Sequence, residues 1–321
     1  MSNLIKFENK NKPLRNKDFL TLGEMTSEEI LFLIKDAIEL KKIQKAGSSQ
    51  PILPGKVLGM IFEKSSTRTR VSFEVGMLQL GGHAIFLSSK DIQLGRGETI
   101  EDTAKVLSRY VDGLMIRTFE HEIIEEFAKH STVPVINGLT DTHHPTQVLA
   151  DLLTIYEHKG KLAGLKMCYV GDANNNMCHS LIEGAAKVGM NISIACPKGY
   201  EPNEKIMNKA KADAKKLGSV IELDSDPIKM IKDADIVVTD VFTSMGQEQE
   251  GKKRLIDLQE YQVNESLCRY AKEDFIFLHC LPAHRGEEVT SSIIDGTHSV
   301  VFDEAENRLH AQKAVLKALM G

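Results

Sequence analysis

Short apolar runs alternate with stretches of helical periodicity along most of the chain. The runs cover residues 57–62, 84–87, 113–116, 133–136, 167–170, 192–195, 220–223, 236–239 and 275–278. Helical spacing fills the intervals at about 69–80, 100–110, 122–130, 179–187, 203–217 and 227–232. Ahead of the first run, Thr26 and Glu29 have capping-box spacing, and Ile30, Leu33, Ile34, Ala37 and Ile38 form one apolar face. Runs of four to six apolar residues separated by helices predict parallel strands buried on both faces. The alternation pauses once. A long helical segment from Pro145 to about Tyr156 leads into a lysine- and glycine-rich stretch at 158–166, and the rhythm then restarts. This predicts an α/β protein of two doubly wound parallel-sheet domains linked by long helices. The domains expected are 1–150 and 151–304, with a C-terminal helix at about 305–321.

The length of 321 residues agrees with two domains. Charge narrows the partners. There are 40 Lys and Arg against 45 Asp and Glu, a net −5. Proteins that hold polynucleotides by counterion release carry a cationic surplus, so a nucleic-acid partner is not expected and any anion site must be local. No apolar run approaches the ~18–20 residues of a membrane helix. The first 20 residues are rich in lysine and asparagine and lack the apolar core of a secretory signal. The five cysteines, Cys168, Cys178, Cys196, Cys268 and Cys280, include no CxxC pair. A cytoplasmic protein with reduced thiols is expected.

Sheets of this kind bind ligands beyond the carboxyl ends of their strands, and the segments there are rich in reactive groups. Run 57–62 is followed by Glu63-Lys64-Ser65-Ser66-Thr67-Arg68-Thr69-Arg70 at a helix start. Free N–H groups, hydroxyls and two arginines there build a phosphate cradle, though not a P-loop. A Ser/Thr cap with surface arginines is the plain alternative. Arg117 follows run 113–116, and Asp141-Thr142-His143-His144-Pro145-Thr146-Gln147 follows run 133–136. Pro145 suits the first helical position, making His144 the cap, with Gln147 beside it and His143 a neighbouring surface residue. Run 167–170 precedes Gly171-Asp172-Ala173-Asn174-Asn175-Asn176. This is not GxGxxG, which counts against a dinucleotide cofactor. Asp240, after run 236–239, suits a cationic ligand group. Residues 247–254 read as a polar, mobile stretch. Run 275–278 delivers His279-Cys280-Leu281-Pro282-Ala283-His284. His279, Cys280 and His284 lack a fourth ligand for zinc.

Taken together, Ser66-Thr67-Arg68-Thr69-Arg70, His144-Pro145-Thr146-Gln147, Asp240 with Ser244-Met245-Gly246, and His279-Cys280-Leu281-Pro282 resemble the motifs of the ornithine carbamoyltransferase family. Asn175 and Arg308 also fall in register. The family often carries Trp at the place of Phe242; this chain has no Trp, and Phe keeps an aromatic there.

The resemblance implies transfer of the carbamoyl group of carbamoyl phosphate to the δ-amine of L-ornithine, giving L-citrulline and phosphate. Arginine metabolism and a homotrimer with sites at subunit interfaces come with it. It calls for no metal and no cofactor. It assigns carbamoyl phosphate to the first domain, on which the last helix packs, and ornithine to the second. It implies that Ser66, Thr67, Arg68, Thr69 and Arg117 hold the phosphate, with Gln93 reaching a neighbour's site. His144, Arg117 and Thr69 meet the carbonyl oxygen. Gln147 and the backbone near Cys280 and Leu281 take the carbamoyl NH2, and Arg308 lines the site. Asp240 and Ser244 hold the ornithine α-ammonium, Asn175 and the Met245 backbone its carboxylate, and Cys280 lies near the δ-amine. Arg117, His144 and Cys280 are thus the expected catalytic residues.

Overall fold

All nine apolar runs form parallel strands. The structure, a computed structural model, describes residue 14 and residues 17–48, 51–89, 92, 97–243 and 250–321. The first sheet contains β1 (Val57–Phe62), β2 (His83–Ser88), β3 (Gly113–Arg117) and β4 (Val135–Leu139), in the order β2-β1-β3-β4. The second contains β5 (Lys166–Val170), β6 (Asn191–Ala195), β7 (Ile221–Asp224), β8 (Ile236–Val238) and β9 (Ile276–Leu278), in the order β7-β6-β5-β8-β9. Strand order therefore reverses between β1 and β3, and again between β5 and β8. Those two points open crevices at the carboxyl edge of each sheet. β4 starts two residues later than its apolar run, after Pro134, which has no N–H for a ladder. It runs on through Asn137-Gly138, with a register shift beside Ile116 and Arg117.

The helices of the first half are α1 (Ser27–Lys45), α2 (Thr67–Gln79), α3 (Ile100–Leu107) and α4 (His121–His130). The linking helix α5 (Pro145–Lys159) is followed by α6 (Asn176–Val188), α7 (Glu204–Leu217), α8 (Pro227–Ile231), α9 (Gly251–Asp257), α10 (Glu265–Cys268), α11 (Ser291–Ile294) and α12 (Val301–Met320). The capping box of α1 is formed as its spacing requires: Thr26 Oγ1 accepts from Glu29 N, and Glu29 Oε2 from Thr26 N. Among the described residues, no helix is long and apolar enough to cross a membrane.

One apolar core joins the two halves. It takes Leu58 and Met60 from β1, Leu149, Leu152 and Leu153 from α5, Met167 and Tyr169 from β5, and Ala311 and Leu316 from α12. Every residue of α5 from Pro145 to Ile155 is buried, because the helix has a sheet or another helix on all sides. α12 crosses back to pack on α1, α2 and α5, and also touches β9. Each sheet covers its other face separately: Ile61, Leu114, Ile116 and Phe127 in the first half, Cys168, Val237, Phe277 and Leu267 in the second. Of the cysteines, only Cys280 has appreciable exposure.

Candidate active site

A cleft of about 1110 Å³ lies between the carboxyl edges of the two sheets. Its walls are the segments that follow β1, β3, β4, β5, β8 and β9, together with Arg308 of α12. The convergence is a topological consequence, since parallel strands deliver all their carboxyl ends to one edge.

Ser66 caps α2, its Oγ accepting from Thr69 N at 3.2 Å. The first turn of α2 contains no acidic residue, so the free N–H groups and the positive dipole end face the cleft uncompensated. Thr69 is buried, and its hydroxyl oxygen accepts from Arg308 Nη2 at 3.0 Å. Arg68 donates to the carbonyl of Leu281, crossing from one half to the other and ending beside Cys280. Arg117 is buried at the end of β3, and its Nε has no acceptor among the described residues. Burial and the neighbouring Arg308 and Arg68 lower its pKa to about 10. Three guanidiniums close enough to repel, at the start of a helix, form a strong anion site.

Arg70 departs from expectation. It turns out of the cleft, donates to Glu74 at 2.9 Å and lies 3.8 Å over the Phe86 ring. Two helical steps of about 100° each set residues 68 and 70 about 200° apart, so only one of the two arginines can face the cleft.

His144 caps α5 with Pro145 at the first helical position, and its side chain makes no capping bond. Its backbone N–H donates to Ser180 Oγ at 2.8 Å. Burial and then Arg308, Arg117 and Arg68 hold the ring well below its ordinary pKa, so it is neutral at pH 7. Gln147 closes no capping box. Its Nε2 donates to Asp151 and to Glu304, each at 2.9 Å, and its Oε1 accepts from Arg308 Nη1 at 2.5 Å.

His143 is not a surface residue. A turn in which Thr140 N donates to His143 O and His143 N to Thr140 Oγ1 folds it inward. It packs against His121, ring centroids 4.8 Å apart, with Glu183 3.5 Å from its Nδ1.

The far wall belongs to the second half. Asn175 caps α6, Oδ1 accepting from Cys178 N, while Nδ2 donates to Tyr169 Oη and to Asp172 O. Buried Asp240 accepts from Val241 N at 2.8 Å and from Cys280 Sγ at 3.3 Å. Burial, and next the Asp240 carboxylate, push the Cys280 thiol well above its usual pKa. Leu281 adopts φ 56, in the left-handed region, which aims its carbonyl at Arg68. Ser244, Met245 and Gln93 lie outside the described residues.

Two further readings change. Arg254, assigned to a mobile stretch, is buried in α9, donates to Phe242 O at 2.7 Å and pairs with Asp172. It ties the segments after β5 and β8 together. Asp240, His279 and Cys280 bring three potential metal-ligating atoms within 4.8 Å. The ring of His279 is already engaged, however: Nδ1 accepts from Leu281 N at 2.9 Å and Nε2 lies 3.2 Å from Glu288. That leaves it no lone pair to offer a metal. Sequence reasoning missed Asp151 and Glu304, which reach the site only by packing beneath Gln147. Asp151 carries one sequence signal, an acidic residue inside the apolar stretch of α5; Glu304, in a helix start with other charges, carries none.

Residues 17–157 match the family described as aspartate/ornithine carbamoyltransferase, carbamoyl-P binding domain, and residues 163–319 the corresponding Asp/Orn binding domain. An ornithine carbamoyltransferase of Anoxybacillus flavithermus is 61% identical over 307 residues, covering 96% of this chain and 98% of its own. One of Bacillus subtilis (strain 168) is also 61% identical over 307 residues, covering 96% and 95%. The solved ornithine carbamoyltransferase from Pyrococcus furiosus superposes with a TM-score of 0.93 at 54% identity, covering 96% of this chain and 98% of that one.

Proposed function

The chain belongs to the aspartate/ornithine carbamoyltransferase family, and from that premise we propose how its residues transfer a carbamoyl group to ornithine. The enzyme class is that of its full-length relatives, ornithine carbamoyltransferase. The observation that carries the reading is the opposition, across one cleft, of the Arg68–Arg117–Arg308 anion site and the Asp240–Cys280 pair. The first suits a phosphate and the second a diamino acid.

The N-terminal half takes carbamoyl phosphate. Ser66, Thr67, Arg68, Thr69 and Arg117 hold its phosphate at the start of α2, with Gln93 of a neighbouring copy completing the site. Thr69, Arg117 and the neutral His144 donate to the carbonyl oxygen. Gln147 and the carbonyls near Cys280 and Leu281 accept from the NH2 group, with Arg308 alongside. The second half takes ornithine. Asp240 and Ser244 hold its α-ammonium. Its carboxylate lies at the start of α6, held by Asn175 and the Met245 backbone.

The neutral δ-amine attacks the carbamoyl carbon, forming a C–N bond and a tetrahedral oxyanion. The bond to the phosphate oxygen then breaks, phosphate leaves with the electron pair, and the nitrogen passes its extra proton to that departing phosphate. A preorganised oxyanion donor contributes about 3–4 kcal/mol to such a step. A free δ-amine resembles lysine, with a pKa of about 10.4, so at pH 7.4 about one part in a thousand is neutral and deprotonation costs roughly 4 kcal/mol. Desolvation in the cleft reduces that cost. Cys280, held as a thiol, positions the amine and does not act as its base.

The protein works in the cytoplasm, in arginine metabolism, as a homotrimer. Support for self-association comes from α2 and the edge strand β2, which expose Val71, Leu78, Ile85 and Phe86. The deciding experiment compares carbamoyl transfer to ornithine, putrescine, aspartate and N-acetylornithine. Ornithine is expected to exceed the others by at least a hundredfold. Equal use of putrescine or N-acetylornithine would remove Asp240 and Asn175 as selectors.

A further inference from the structure

Beneath the cleft, two buried carboxyl groups meet on one side-chain amide. Asp151 of α5 and Glu304 of α12 both accept from Nε2 of Gln147, each at 2.9 Å. Glu304 Oε2 also accepts from the backbone N–H of His279, next to Cys280, at 2.9 Å. Bound to one nitrogen, the two carboxyls lie side by side. Oδ2 of Asp151 is buried and has no hydrogen-bond partner among the described residues. Both residues are about 1% exposed. Two carboxylates held side by side away from water cannot both ionise, and the unpartnered Oδ2 of Asp151 leaves room for a proton. Burial raises Asp151 to about 7 and Glu304 well above the ordinary carboxylate range.

The consequence falls on Gln147. Both hydrogens of its Nε2 are directed to carboxyl oxygens, and its Oε1 accepts from Arg308 Nη1 at 2.5 Å. An amide flipped end for end would set its oxygen against two acceptors and its NH2 against a guanidinium. The network therefore admits one orientation. The carbonyl oxygen keeps a second lone pair, and Gln147 lines the cleft.

Given the carbamoyl transfer set out above, on which this rests, we propose that Asp151 and Glu304 share one proton and act as a positioning pair that locks Gln147 as an acceptor for the carbamoyl nitrogen. The pair distinguishes a carbamoyl NH2, which donates, from a methyl at the same place, which cannot. Because Glu304 also holds the backbone at His279, the pair connects the Gln147 acceptor to the strand end that carries Cys280.

Asp151→Asn and Asp151→Leu separate this from a merely structural role. Asn keeps an oxygen for Gln147 and places an N–H where the shared proton lies, so KM for carbamoyl phosphate and for ornithine should each stay within about threefold of wild type. Leu keeps the branched shape but offers no acceptor, and should raise KM for carbamoyl phosphate at least tenfold with KM for ornithine within threefold. The infrared difference spectrum between wild type and Asp151→Asn at pH 7.5 should show loss of one protonated-carboxyl carbonyl band, sensitive to exchange in heavy water. This measurement decides the matter should Asp151→Leu fail to fold. Absence of that band, an Asn variant as impaired as the Leu variant, or an unimpaired Leu variant each overturns the proposal. A wild-type protein that shows the band yet does not carbamoylate ornithine overturns the assigned reaction instead.

Discussion

The thiol of Cys280 lies 3.3 Å from a carboxylate oxygen of Asp240, in a site that burial already makes unfavourable for a second anion. Its folded pKa lies above 9, so the thiol keeps its proton from pH 6 to 9. Cys280→Ser should raise KM for ornithine several-fold and leave the shape of the kcat–pH profile unchanged; a missing ionisation limb in steady-state kinetics would count against this. The opposite sign applies to His144. Its folded pKa lies well below 6.5, so the neutral ring persists as pH falls through 6.5. The dependence of kcat/KM for carbamoyl phosphate on pH should show no limb from this group above pH 6.5. His144→Ala should lower kcat by about 10²–10³, the usual loss for one oxyanion donor.

Helix packing sets how firmly the two halves are held together. α5 and α6 approach closely at Gly184, where an added methyl would lie 2.9 Å from Val148 Cγ1 and 3.1 Å from Leu22 Cδ1. Val148 is β-branched, lies within the buried α5, and has little freedom to retreat. Gly184→Ala should therefore cost about 1–3 kcal/mol of stability, as overpacking does. Differential scanning calorimetry would register it as a lower Tm. The same shared core explains why α12 matters to chemistry. Arg308 reaches the cleft, and Glu304 the layer beneath it, only because their helix crosses back over α1, α2 and α5.

Self-association belongs to the assembled protein. Leu78 on α2 is 69% exposed, and Ile85 on the adjacent strand 48%. Leu78→Glu leaves the protomer's own core untouched, so it should shift the species seen by light-scattering chromatography from the trimer proposed above to monomer without lowering secondary structure by circular dichroism. An unchanged trimer would remove this face as the interface.

Much of this architecture was legible along the chain. Nine apolar runs, each a few residues long between helical segments, specify parallel strands because crossover helices cover the inner strands on both faces; the edge strands β2 and β7 are the exceptions, partly exposed. Their carboxyl ends were then the place to look for chemistry, and Arg68, Arg117, His144, Gln147, Asp240 and Cys280 line one cleft. What could not be read was direction and company. Arg70 differs from Arg68 by two helical positions and faces away. His143 differs from His144 by one position and turns into the protein. Arg254 sits in a polar stretch yet is anchored by Asp172, 82 residues earlier. Asp151 and Glu304 are 153 positions apart and share one amide. Periodicity reports which face of an element is apolar, a local property of the covalent chain. The partner that a buried charge finds on that face depends on how distant elements cross, and no local pattern encodes it.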